Sequence, residues 1–477
     1  MSTVTPVWVT QRAQLTPDRI GLIFEGQSYT FQQLWEHSNK WASFLYEKGV
    51  RKGHHVGICM KNEPRMVFII HALQLLGAKS ILINRRLTAE EISWQIENSK
   101  TTCFVHDISN LEVDILTIAI QEDTQPKTTS KAEIVDECSL DDVCSVMYTS
   151  GTTGKPKGVL HTYGNHWWSA TGSALNMGLS HDDVWLAAVP LFHISGYSIL
   201  MRSVIYGIPV LLYERFDEAE INEEIIKGNV TIISVVAAML SRLLENLSSR
   251  RYSEKFRCML LGGGPAPYPI LKECKDKQIP VYQTYGMTET ASQIVTLSPE
   301  YALSKLGSAG KPLFPCQVRI ERKGDEQHGE ILVKGPNVTH GYWERPDANT
   351  DSYVDGWFRT GDIGYLDEGG FLYVMDRRSD LIISGGENIY PAEVESVLLS
   401  HPAVREAGVV GKEHPHWGQV PVAFIVLKEE VRVDQMIEWA KTKLASYKVP
   451  KEIMVVDTLP RNASNKLLRK ELRKKLR

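Results

Sequence analysis

Residues 148–159 read YTSGTTGKPKGV. Positions 149–158 hold four hydroxyls (Thr149, Ser150, Thr152, Thr153), three glycines (Gly151, Gly154, Gly158) and two lysines (Lys155, Lys157). Glycines let a backbone bend until its N–H groups converge on an anion. Hydroxyls donate to phosphate oxygens, and lysines offset their charge. A flexible Ser/Gly loop is the bland alternative, but this density of hydroxyls and lysines is far from generic. The register G-x-x-x-x-G-K-[ST] of the common NTPase loop is not met. The apolar run Val143–Met147 leads in as a strand. The stretch therefore predicts a phosphate-binding loop on the end of a strand, and so an α/β fold.

Outward from the loop, helices alternate with short apolar strands. Residues 30–50 read as a helix, with Thr30 as cap and Leu34, Trp41, Phe44 and Leu45 near helical spacing. A second helix over 63–77 leads to a strand at Ser80–Asn84. The apolar stretch Met66–Ile83 is broken by His71, Gln74 and Lys79, which favours this buried pair over a membrane span. The alternation recurs at 182–215, 220–247 and 256–283, as in mostly parallel sheets. The segment 307–375 is rich in Gly, Pro, Tyr and Trp, with short alternating strands such as Glu330–Val333 and Phe371–Met375. It predicts an antiparallel, β-barrel-like region. The charged run Asp376–Asp380 is read as a domain boundary. Beyond it, Pro391 opens a helix over Ala392–Ser400, Val404–Val410 and Val420–Leu427 read as strands, and Val433–Ala445 as a helix. The expected division is a large α/β domain over 1–378 and a small α+β domain over 379–477.

The bulk composition narrows the partners. The chain has 477 residues, 43% apolar and 23% charged, with net charge −4. That charge gives no general attraction to nucleic acid or anionic membrane, and neither is expected as a partner. The seven cysteines are scattered, with no C-x-x-C pair. They read as free thiols in a reducing compartment, without a zinc site. The first residues lack the basic-then-apolar layout of a signal peptide, so a cytoplasmic location is expected. Oligomeric state stays open, a homo-oligomer included.

The loop YTSGTTGKPKGV resembles the signature of the adenylate-forming superfamily: acyl-CoA synthetases, peptide-synthetase adenylation domains and luciferases. Further motifs follow in family order to the end of the chain. The resemblance implies ATP binding by Thr149, Ser150, Gly151, Thr152, Thr153, Gly154 and Lys155. In YQTYGMTET (282–290) it implies that Tyr285 stacks on adenine beside Gly286. It further implies that Thr288 contacts the α-phosphate and Glu289 holds Mg²⁺. A carboxylate suits that hard cation and an aromatic face suits a purine. In LGGGPAP (261–267), Gly263 and Gly264 would border the adenine; a tight turn is the alternative. In FRTGD (358–362), Asp362 would bind the ribose hydroxyls, and a β-turn there is compatible with that role.

In DRRSDLIISGGENI (376–389), Arg377 matches an arginine that approaches the nucleotide, and Ser379 falls at the hinge, where relatives carry Asp or Lys. Gly385 and Gly386 would let backbone approach the pantetheine arm of coenzyme A; a plain hairpin turn is the alternative. Lys466 takes the place of the catalytic lysine, preceded by Asn465 where relatives carry Gly. The family mechanism has two halves. The acid attacks the α-phosphorus of ATP, giving acyl-adenylate and pyrophosphate. After rotation of the mobile C-terminal domain, a thiol displaces AMP. No carrier domain follows the lysine, so coenzyme A is the expected acceptor.

PLFHISG (190–196) resembles the motif whose His, here His193, lines the acyl pocket, with a merely packed residue as the alternative; Ser195 joins it as a candidate toward the acid. A helix from Tyr197 would set Arg202 about two turns past His193. An arginine there reads either as a surface residue or as a bidentate partner for a second carboxylate. GNHWWSATGSALNMG (164–178) and KLGSAGKPLF (305–314) add likeness to CoA ligases whose acid is a benzoate bearing a succinyl chain. The expected substrate is thus a small aromatic dicarboxylic acid. Another aryl- or medium-chain acyl-CoA ligase is the nearest rival, and it would leave Arg202 without a partner. A non-catalytic ATP- or CoA-binding sensor would typically have lost Lys466, Glu289 or Asp362. A light-emitting oxidase shares the adenylation step.

Overall fold

The computed structural model describes residues 3–476 apart from 110, 112, 122–123, 150–155, 265–267, 323–326, 378–379, 385–386, 416, 445 and 463–466. Local chemistry sets the first helices. Thr30 Oγ1 accepts from Gln33 N–H at 3.2 Å, and Gln33 Oε1 accepts from Thr30 N–H at 2.9 Å. This reciprocal cap opens the helix Phe31–Glu47. Pro64 takes the first position of Pro64–Leu75, where its missing N–H costs nothing. All residues from Met66 to Leu75 are buried, and the two polar ones, His71 and Gln74, meet each other at 2.9 Å. The strand after it is Lys79–Leu82, one residue earlier than the apolar run begins and two shorter at its end.

That strand lies inside a six-stranded sheet. The order is Lys157–Thr162, Val143–Thr149, Lys79–Leu82, His55–Cys59, Cys103–His106 and Leu116–Ala119. All neighbours are parallel except the first two, which run antiparallel with Lys157 opposite Thr149. The phosphate-loop sequence thus connects two paired strands.

A second sheet of fourteen strands carries the rest of the nucleotide motifs. Its parallel part runs through Ile20–Phe24, Val210–Leu212, Trp185–Ala187, Ile232–Val236, Cys258–Gly262 and Val281–Met287. It continues antiparallel through Ser292–Leu297, Ser308–Pro312, Leu372–Arg377, Trp357–Leu366, Gly329–Lys334 and Gln317–Arg322. The antiparallel region expected over 307–375 is therefore joined edgewise to the parallel sheet through Ser292–Leu297. Its core, around Ile331, Val333, Phe358 and Leu372, also takes in Val159 from the six-stranded sheet and Ile294 and Val295 from the joining strand.

The described strands from Ile382 onward pair only with one another, in a five-stranded sheet. Pro391 is the first residue of Pro391–Leu399, and Val404–His414 pairs with Gly418–Leu427 over a longer hairpin than the apolar runs suggest. The helix from Val433 stops at Lys441, four residues short of the expected end, with Thr442 as its C-cap. Val394, Leu398, Val409 and Ile425 help fill the core of this group.

All seven cysteines are free; six are buried and Cys316 is half-buried. Burial pushes the thiols of Cys59, Cys103, Cys258, Cys274 and Cys316 up to about 12. Among the described residues, no helix is long and apolar enough to cross a membrane.

Candidate functional site

Thr149 ends one strand and Lys157 begins the next, so both flank the phosphate loop. Ser150, Gly151, Thr152, Thr153, Gly154 and Lys155 lie outside the described residues, as do Ser379, Gly385, Gly386 and Lys466. Arg377 is described in backbone only, paired across the ladder with Asp362.

The strand Val281–Met287 delivers Tyr285 and Gly286 and ends in a tight turn, Thr288–Thr290. Gly286 is required here, because a Cβ would sit 2.1 Å from the Ser292 carbonyl oxygen. Groups from distant parts of the chain hold the turn by its backbone. His161 Nε2 lies 2.7 Å from the Thr288 carbonyl, and Thr339 N–H donates to the Glu289 carbonyl at 2.7 Å. Asn337 Nδ2 donates to the Thr290 carbonyl at 2.9 Å, and Ser169 Oγ to the Ala291 carbonyl at 2.6 Å. Burial pushes His161 down to about 4, so the ring is neutral and donates through Nε2. The Glu289 carboxylate is 6% exposed and accepts from the Tyr342 hydroxyl at 3.0 Å.

Across the sheet, Tyr285 Oη donates to Asp362 Oδ2 at 2.7 Å. Asp362 is buried at the bend of Trp357–Leu366, where its N–H donates to Thr360 Oγ1 at 3.1 Å. Gly263 has φ +85°, and a side chain at Gly264 would meet open space. The structure thus gathers Tyr285, Thr288, Glu289 and Asp362 around two interior strands of the large sheet. The donor set fits a nucleotide with a divalent cation: buried carboxylate oxygens, an aromatic face and open glycine backbone.

The helix carrying the acid-side candidates begins earlier than expected. It spans Ile194–Tyr206 with His193 at its N-cap, so Arg202 lies nine residues along, roughly 13 Å at 1.5 Å per residue. Burial pushes His193 down to about 4, with the charge of Arg86 adding to it. Ser195 is half-buried in the first turn, and its carbonyl accepts from Ser198 Oγ at 3.2 Å. Arg202 is not a surface residue: it is 2% exposed. Its guanidinium lies 5.3 Å over the Trp185 ring, and Nη2 donates to Ser169 Oγ at 3.3 Å. Among the described residues, Nε has no hydrogen-bond partner and no carboxylate pairs with the guanidinium. Burial lowers its pKa. Among the described residues, both amide atoms of Gln293 are also buried without hydrogen-bond partners. Two helices and a strand therefore enclose polar groups with unspent hydrogen bonds. Sequence reasoning missed Ser169, Ser173 and Gln293. The signal that could have found the serines is their spacing of four on Tyr163–Met177, matched by Arg202 and Tyr206 at the same spacing.

A family of AMP-binding enzymes matches residues 9–343, and the C-terminal domain of AMP-binding enzymes matches residues 393–466. This chain belongs to the AMP-binding enzyme family. The enzyme is 57% identical to the 2-succinylbenzoate–CoA ligase of Geobacillus kaustophilus (strain HTA426), over 99% of this chain and 98% of that protein. It also superposes on o-succinylbenzoate CoA synthetase from Bacillus subtilis in complex with the acyl-adenylate intermediate. There the TM-score is 0.93, with 52% identity over 98% of each chain. The same Bacillus subtilis enzyme with ATP and magnesium ion gives TM-score 0.93 at 52% identity, over 98% of this chain and 100% of that one.

Proposed function

We infer that this AMP-binding enzyme is an ATP-dependent 2-succinylbenzoate–CoA ligase of menaquinone biosynthesis. It forms the acyl-adenylate of the succinyl carboxylate and then the coenzyme A thioester, releasing pyrophosphate and AMP. The observation that carries the choice of acid is Arg202: a fully buried cation with no anionic partner among the described residues, on the helix capped by His193. A monocarboxylic acid would leave that charge unpaired, which is expensive. The ring carboxylate of 2-succinylbenzoate would satisfy it bidentately. Ser195 and the neutral His193 ring offer hydrogen bonds to the ketone.

For adenylation the difficulty is electrostatic, because a carboxylate must approach a polyanion. Thr149 and Lys157 bracket the loop whose hydroxyls, amides and Lys155 would cradle the phosphates. Thr288 would donate to the α-phosphate, with its backbone fixed by His161. Tyr285 and Asp362, joined at 2.7 Å, would take adenine and ribose. Glu289 would hold Mg²⁺, and the cation, when bound, offsets charge developing on the phosphate oxygens. Lys466 would add a mobile point charge at the reacting carboxylate. In the second half, a unit beginning near Ser379 would withdraw Lys466 and present Gly385 and Gly386 to the pantetheine arm. The boundary at 378/379 fits the sheet from Ile382 onward, whose strands pair among themselves. Free thiols throughout accord with a cytoplasmic setting.

The test is ATP-dependent pyrophosphate release with Mg²⁺ and 2-succinylbenzoate, beside benzoate, succinate and octanoate, with and without coenzyme A. Release confined to 2-succinylbenzoate, with thioester once coenzyme A is added, is the expected outcome. Release with benzoate or octanoate instead would keep the adenylation mechanism and discard both the acid and the role of Arg202.

A further inference from the structure

Tyr342 touches both sides of the phosphate site. Its hydroxyl donates to Glu289 Oε1 at 3.0 Å, and Lys157 Nζ lies 4.8 Å over its ring. The side chain is 6% exposed, so both contacts are made in a largely dry environment. Its backbone is fixed just as firmly. The Tyr342 N–H donates to Asn349 Oδ1 at 2.7 Å, and Asn349 Nδ2 donates back to the Tyr342 carbonyl at 3.1 Å. On either side, Leu160 N–H donates to the Gly341 carbonyl at 3.1 Å and Trp343 N–H to the Gly158 carbonyl at 2.8 Å. The segment is thereby stitched to the strand that leaves the phosphate loop. Two residues before Gly341, Thr339 ties down the Glu289 carbonyl.

We propose that Tyr342 is a positioning residue for adenylation: its hydroxyl fixes the Glu289 carboxylate and its ring face seats Lys157. A single rigid side chain then sets the spacing between the metal-facing carboxylate and the lysine at the exit of the phosphate loop. A carboxylate held by one hydroxyl presents its other oxygen in a defined direction, and such outer partners tune ligand affinity. The ring adds a cation–π seat that holds a flexible lysine in one place. The proposal rests on the reading of Glu289 as the carboxylate toward Mg²⁺.

The experiment is Mn²⁺ binding to the full chain with a non-hydrolysable ATP analogue, followed by electron paramagnetic resonance, for the parent, Tyr342→Phe, Tyr342→Leu and Glu289→Gln. Tyr342→Phe keeps the ring and should weaken Mn²⁺ binding about tenfold, the low end for loss of an outer partner. The Mg²⁺ needed for half-maximal ATP–pyrophosphate exchange should rise by the same factor. Tyr342→Leu should add a rise in KM for ATP. Thioester formation from supplied acyl-adenylate should hold in both, which a merely structural role would not predict. Weakened Mn²⁺ binding in Glu289→Gln but not in Tyr342→Phe would overturn the proposal and leave the reading of Glu289 intact. Unchanged binding in all variants would overturn both. If Tyr342→Phe were to lose thioester formation along with exchange, the residue would be structural and the proposal would fall.

Discussion

Replacing Arg202 with Met should separate substrate recognition from folding. In the parent, the guanidinium is 2% exposed, hydrogen-bonded to Ser169 and stacked over Trp185, with Nε unpartnered. The cation–π contact is worth ~1–2 kcal/mol when desolvated. An unpaired buried charge costs more than that. Met fills similar volume without the charge, so the variant should unfold at the same urea concentration as the parent or a higher one. The acid loses a charge-assisted, bidentate partner at a cost of about 3 kcal/mol, or about 150-fold in kcat/KM. Pyrophosphate release with varied 2-succinylbenzoate reads that loss, and KM for ATP should stay put. The comparison compound is 3-benzoylpropionate, which lacks only the ring carboxylate. The parent should discriminate strongly against it, and Arg202→Met should not. A variant that loses more than ~2 kcal/mol of stability yet keeps kcat/KM for 2-succinylbenzoate would show that Arg202 serves packing alone.

Lys466→Ala should slow pyrophosphate release by about 100-fold or more while thioester formation from supplied acyl-adenylate continues; equal loss in both steps would remove Lys466 from its assigned place. Asp362→Asn should raise KM for ATP about tenfold with KM for the acid unchanged, and a loss confined to kcat would contradict a ribose contact. Stability should fall with acid: His71 and His161 sit near 4 in the native state because of burial, below the ordinary 6.5. The unfolded chain therefore binds protons that the native chain refuses between pH 6.5 and 4. Their contribution is complete above 6.5 and declines by ~1.4 kcal/mol per pH unit for each ring below it. Urea midpoints at about pH 7 and pH 5, on either side of the ordinary histidine value, check this, and equal midpoints would refute it.

Much of the fold was legible because the deciding chemistry is local. The cap at Thr30 and the prolines at 64 and 391 announce helix starts within a few residues of themselves. The end of Val433–Lys441 differs from the expectation because apolar spacing continues past Thr442 while the regular helix does not. The edgewise join of the parallel and antiparallel regions is a tertiary pairing between Val295 and Pro312, which no window of sequence contains. On the site, glycines and hydroxyls mark the loop in the sequence, but the side chains that hold Glu289 and Arg202 lie far away in the chain. Tyr342 and Glu289 are 53 residues apart, and Arg202 meets Ser169 across 33. Arg202 itself read equally as surface or pocket, and only burial decided between them.

The seven native cysteines have a practical meaning for anyone wishing to watch this enzyme move. Dyes and alkylating reagents attack the thiolate, and a buried thiol titrating near 12 is almost wholly protonated at neutral pH. A cysteine introduced at an exposed position, such as Glu133→Cys paired with Glu429→Cys, would outrun every native thiol in a brief labelling reaction. Fluorescence energy transfer between those two positions could then follow the chain through its catalytic cycle without first stripping out a single native cysteine.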